Sequence, residues 1–170
     1  MPGEWHVGKP PGVLRTLLGS CVAVTLWHPA RRVGGMCHYL LPGRQRASDA
    51  ALEGRFGNEA LALMVRALES RDIPVAGCVA HLYGGADTMP GASGPKFNIG
   101  QRNIEEGWRL IDHYGIELRG VDVGEDVPRS VRLELATGEV DMRRGKGKPP
   151  PVRLPPYSPP PALGGLGKKN

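Results

Sequence analysis

The sequence predicts an α+β or layered α/β domain. Three observations carry this: six or more short apolar runs rich in β-branched residues, two segments with apolar residues at helical spacing, and Gly/Pro punctuation between them. Val13 to Leu17 reads as a strand. Val22 to Trp27 is apolar and β-branched, and His28-Pro29 closes it. Met36 to Leu41 is a further strand, ended by Pro42-Gly43, and the polar stretch 43–55 reads as a loop. Leu61, Met64, Val65 and Leu68 predict a helix over about 58–70. Val75 to Leu82 predicts a strand running into Tyr83-Gly84-Gly85-Ala86, followed by a Gly/Pro-rich loop over 86–97. Ile104, Trp108 and Ile111 mark a second amphipathic helix over about 101–114. Ile116 to Val123, Ser130 to Leu135 and Glu139 to Met142 complete the strands, the last two joined by a turn at Thr137-Gly138. No internal repeat is visible.

A length of 170 residues suits one domain with a real core. No stretch approaches the roughly 20 apolar residues of a membrane span, which argues against membrane insertion. No signal peptide is visible at the N-terminus. The three cysteines then read as reduced thiols of a cytoplasmic protein rather than a disulfide framework. The net charge of +5 is unevenly spread. From Arg143 onward there are seven basic residues and no acidic one, leaving 15 basic against 17 acidic in the body. Basicity that belongs to a tail argues against nucleic acid as the domain's partner. Eight of the 17 prolines lie in the same tail. Residues 1–143 therefore read as the folded domain and 144–170 as a disordered basic Pro/Gly-rich tail. The tail is either an unconstrained extension or a ligand for a proline-recognising partner or anionic surface.

The chemistry-bearing residues are Cys21, in Leu18-Gly19-Ser20-Cys21, and His38, in Gly34-Gly35-Met36-Cys37-His38. A free thiol has a pKa of about 8.5, so a catalytic cysteine needs a base or positive charge nearby. Adjacent strands can bring His38 to Cys21. An extended Met36 to Leu41 puts Met36, His38 and Leu40 on one face and Cys37, Tyr39 and Leu41 on the other, which makes Cys37 a packing residue. Gly19-Ser20 permits a tight turn whose amides are free to hold an oxyanion. Thr16, Ser20 or another hydroxyl can orient the imidazole through its second nitrogen. Spacing alone leaves two readings open, a nucleophile with its base or two packed core groups. Cys78 and His81 have the spacing of a metal half-site, but an offset of three in a strand separates their side chains, so no metal is expected.

The ordered motifs resemble the CheD family of chemoreceptor glutamine deamidases. They are Thr16 to Val24, Gly34 to Pro42, Gly54 to Ala60, Gly84-Gly85-Ala86, Asn98 to Asn103, Asp122-Val123-Gly124 and Arg129-Ser130-Val131, over about residues 5–142. Phe56 stands where the family commonly has tyrosine, and Glu125 where it usually has a second glycine. The resemblance implies a single-domain α/β/β sandwich similar to the catalytic domain of deamidating bacterial toxins. It implies conversion of chemoreceptor glutamines to glutamate, in some members linked to methyl ester hydrolysis, without metal or organic cofactor. Cys21 is then the nucleophile, His38 the base, and Thr16 the nearest match to the family's third residue; an ungapped match to some members places Arg15 there. Ser20, Asn98 and Arg102 are candidate substrate-binding residues, although Asn98 and Asn103 also fit a structural role at a helix start. Asp122 and Arg129 suit an internal ion pair. The implied partners are chemoreceptor cytoplasmic helices and, for some members, a chemotaxis phosphatase. A non-catalytic adaptor for those partners, or a general thiol hydrolase, are the competing classes.

Overall fold

A strand covered on both faces reads as a near-continuous apolar run, and Val22–His28, apolar except for Thr25 and His28, is buried at every position. In the computed structural model, which describes residues 1–45, 47, 49–87 and 98–146, this segment is the middle of the larger of two sheets. The strands are β1 (Trp5–Gly8), β2 (Val13–Leu18), β3 (Val22–His28), β4 (Val33–Tyr39), β5 (Val79–Gly84), β6 (Glu117–Val123), β7 (Arg129–Glu134) and β8 (Val140–Arg144). The helices are α1 (Gly57–Glu69) and α2 (Ile99–His113). The first sheet has the order β1-β4-β3-β5-β6 and the second β2-β7-β8. Among the paired strands of the described residues, β5 and β6 run parallel and the rest antiparallel.

Strand alternation sorts the core into two halves. Val22, Val24, Leu26, Cys37, Tyr39, Ala80 and Leu82 face the helices and meet Leu61, Met64, Leu68, Ile104 and Ile111. Cys21, Ala23, Met36, Leu40 and Tyr83 face the second sheet and meet Leu18, Val131 and Leu133. The layers are therefore helices, sheet, sheet, an α+β sandwich.

Most elements follow the periodicity, and the differences have local causes. The strand β1 carries too short an apolar signal to stand out, yet it pairs with β4 at the sheet edge. β4 begins at Val33, earlier than the apolar run, and includes Gly34-Gly35. A Cβ on Gly35 would lie 2.2 Å from the His6 carbonyl oxygen, so the close approach of β1 requires glycine. Val75–Gly77 is a 3-10 turn rather than strand. The Gly77 and Cys78 N–H groups bond back to Pro74 and Val75 carbonyls, and β5 starts after them. Trp108 is 45% exposed; Gly107 and Leu110 hold the buried stripe of α2 instead. The boundary drawn at residue 143 falls inside β8. Arg144 is the last residue of that strand and pairs with Asp122 at 3.0 Å and Glu125 at 2.9 Å. Glu125 has φ +57°, a left-handed backbone that suits the glycine usual there. Most of the loop over 86–97, and the tail from residue 147, lie outside the described residues.

Candidate active site

β2 belongs to the second sheet and β3 to the first, so the chain crosses between sheets in three residues, Gly19-Ser20-Cys21. The glycine loop after β5 holds this crossing. Gly85 N–H donates to the Cys21 carbonyl (2.8 Å) and Ala86 N–H to the Gly19 carbonyl (2.9 Å). Gly84 has φ +108°, and a Cβ there would sit 2.2 Å from the Cys21 carbonyl oxygen. Asn103 of α2 fastens the same turn from the other side. It is fully buried, and its Nδ2 donates to the carbonyls of Ser20 (3.1 Å) and Leu40 (2.9 Å). One amide thus links the residue before Cys21 to a residue two beyond His38.

Register places the two candidate groups. Ala23 of β3 lies opposite His38 of β4. Cys21, two residues before Ala23, lines the same inter-sheet core, diagonal to His38 on the neighbouring strand. Cys37 packs on the helix side, as alternation predicts. On β2 the outward residues are Val13, Arg15 and Leu17, while Thr16 faces inward opposite Val131 of β7. Thr16 Oγ1 lies 2.7 Å from His38 Nδ1. Geometry therefore brings Thr16, not Arg15, to the imidazole. The other ring nitrogen, Nε2, is buried and has no hydrogen-bond partner among the described residues.

A cleft of about 530 Å³ opens on this histidine, flanked by Glu4, Trp5, Leu14, Arg15 and Thr16. β1 forms one wall, and the His38 N–H donates to the Glu4 carbonyl at 3.0 Å. Cys21 is 2% exposed and lies behind the cleft rather than in its lining. Burial pushes its thiol up to about 11, opposed by its own backbone N–H. Burial also pulls His38 down to about 4, helped by the N-terminal amine and opposed by Glu4. At neutral pH both groups are uncharged: a thiol, and an imidazole able to accept a proton.

The remaining candidates fall elsewhere. Ser20 takes part through its carbonyl. Asn98 caps α2, accepting from the Gln101 N–H at 3.1 Å, and Arg102 is exposed on the same helix. Neither lines the cleft. Cys78 packs against the helices, while His81 sits against Thr25 at 3.2 Å, so the half-site is split. Arg129, fully buried, bonds Asp122 at 2.5 Å and ties the second sheet to the first. Sequence reasoning missed the β1 wall; the alternation of Trp5 and Val7 was its only signal. Asn103 was read as satisfying local backbone, whereas it spans to two other elements.

Fold and site together define a class: an α+β sandwich with a threonine-bonded histidine and a buried cysteine between its two sheets. The chain belongs to the CheD family. The family model described as CheD chemotactic sensory transduction matches residues 40–144. A protein of Dechloromonas aromatica named "Probable chemoreceptor glutamine deamidase CheD 3" is 39% identical over 152 residues, 89% of each chain. An aligned span of that share includes positions 21 and 38 wherever it begins. A similarly named protein of Chromobacterium violaceum is 38% identical over 85% of this chain and 76% of its own. One from Pyrococcus abyssi is 32% identical over 84% and 88%.

Proposed function

We propose that this protein is a chemoreceptor glutamine deamidase, hydrolysing receptor glutamine side chains to glutamate with release of ammonia in chemotaxis. The observation that carries the reading is the Thr16–His38 bond at 2.7 Å, which engages Nδ1, while Nε2 is buried without a partner among the described residues and Cys21 lies diagonal to His38 in the strand register. Thr16 fixes the ring, so that Nε2 is the nitrogen facing the chemistry. Nε2 accepts the Cys21 proton as the thiolate attacks the side-chain amide carbon. In this reading the Cys21 backbone N–H, which bonds its own sulfur in the protein alone, stabilises the oxyanion. The imidazolium gives its proton to the amide nitrogen, the C–N bond breaks, and ammonia leaves a thioester. Water then attacks that carbonyl while Nε2 takes its proton. The thiolate departs, recovers the proton, and leaves glutamate. Net consumption is one water per ammonia.

The raised thiol and lowered imidazole mean that charge separation is not the resting state. In this reading the thiolate forms only as Nε2 takes the thiol proton during attack on the amide. Each turnover adds one negative charge to the receptor helix.

The burial of Cys21 also favours a second reading, a non-catalytic adaptor for chemoreceptors or a chemotaxis phosphatase. Mass spectrometry of a chemoreceptor cytoplasmic fragment separates the two. Wild type is expected to add the mass difference of Gln to Glu at defined positions, and Cys21→Ala to add none. Full conversion by Cys21→Ala would overturn the enzymatic reading; binding without conversion by wild type would establish the adaptor.

A further inference from the structure

The outward face of the second sheet holds a groove of about 370 Å³ that the deamidation chemistry leaves unused. Register sets its floor. Arg15 of β2 stands opposite Arg132 of β7, which stands opposite Asp141 of β8; the adjacent row is Leu17, Ser130 and Arg143. Like charges directly opposite one another destabilise a sheet, so two adjacent arginines carry a cost here. Arg132 reaches Glu134 at 3.2 Å, and Arg143 reaches Asp141 at 3.2 Å. Arg15 is exposed and has neither an ion pair nor a hydrogen bond from its side chain among the described residues.

Two further facts give this face a direction. Arg15 lines both the groove and the cleft over His38, so one side chain joins the two depressions. Beyond β8 the sequence continues with Lys146, Lys148, Arg153, Lys168 and Lys169 and no acidic residue. In the sequence, basic charge is thus concentrated from Arg143 onward, while the preceding residues are slightly acidic in balance. Guanidinium forks match carboxylates with paired hydrogen bonds, and the exposed Leu17 and Val13 add apolar contact beside them.

We infer that this face docks an acidic segment of the receptor helix whose glutamine occupies the cleft, with Arg15, Arg132 and Arg143 binding carboxylates that flank the target. The inference rests on the reading of the chain as a receptor deamidase. It carries a consequence: the product is itself a carboxylate, so a helix with one glutamine converted binds the groove more tightly than its precursor.

The test measures binding apart from turnover. The full chain carrying Cys21→Ala is titrated against a fluorescently labelled receptor cytoplasmic fragment, followed by anisotropy. Adding Arg15→Gln and Arg132→Gln is expected to weaken binding about tenfold and to flatten its dependence on salt. Arg143→Gln, at a side chain 80% exposed, repeats the test with little risk to folding. Unchanged affinity and salt slope in these variants would overturn the inference, as would displacement of the fragment by duplex DNA more readily than by a glutamate-rich peptide. Wild-type conversion of the same fragment is scored separately. Conversion without groove-dependent binding removes the docking surface and leaves the enzyme; groove-dependent binding without conversion does the reverse.

Discussion

Replacing Thr16 by valine keeps the side-chain shape and removes the hydroxyl 2.7 Å from His38 Nδ1. The imidazole is 3% exposed, so water cannot readily take the threonine's place. An unsatisfied buried polar group costs about 1–3 kcal/mol. If that whole cost falls on the catalytic orientation of the ring, at 1.36 kcal/mol per factor of ten, turnover falls about 5- to 150-fold. The loss is expected in kcat, with KM nearly unchanged, because the hydroxyl acts on the histidine rather than on glutamine. Thr16→Ser restores the oxygen and is expected to recover most of the rate, which a purely packing role would not produce. The assay is the initial rate of Gln-to-Glu conversion in a receptor fragment, by mass spectrometry, at several fragment concentrations. A Thr16→Val protein within twofold of wild type would refute the orienting role, as would a Thr16→Ser protein as slow as Thr16→Val.

Two further outcomes follow from the buried, neutral site. With its thiol at about 11, Cys21 in the protein alone is expected to react with iodoacetamide at pH 7 about 300-fold more slowly than a free cysteine of pKa about 8.5, before access is counted. The rate should climb through pH 10, and peptide mapping assigns it to Cys21; alkylation at pH 7 as fast as that of a free thiol would reveal a preformed thiolate. His38 is held neutral when folded, with its pKa lowered to about 4, whereas the unfolded chain takes up the proton near 6.5. The unfolded state therefore binds more protons between those values, and stability falls as the pH drops through that window. Urea unfolding at pH 7 and pH 5 should differ by about 2 kcal/mol from this group, and the same difference measured in His38→Gln should be smaller by that amount.

Local chemistry was legible where one residue's neighbours decide its state. The alternation at Met36, Cys37 and His38 separated the packing cysteine from the histidine, and register then set Cys21 diagonal to that histidine. What alternation cannot say is which sheet a strand joins. β2 and β3 are consecutive and nearly touching in sequence, yet they lie in different sheets because the glycine turn at 19–20 lets the chain cross. The choice between Arg15 and Thr16 depended on that partition: adjacent residues on one strand face opposite ways, and only the docking of the second sheet shows which way is inward. Gly34-Gly35 hid the start of β4, because glycine weakens a strand in isolation and is explained only by the neighbouring β1. The pair of hydrogen bonds donated by Asn103 was likewise invisible, since the two acceptors lie more than sixty residues away.

The split of the site between two sheets has a bearing on synthesis. β2 has a single strand partner, β7, so Thr16 is held in place by a segment that leaves the ribosome about 110 residues after it. A nascent chain that has produced Cys21 and His38 has the thiol and the imidazole but not the sheet that brings the Thr16 hydroxyl to the ring. On the proposed reading, the site is therefore completed only when the last strands are made, long after its cysteine and histidine.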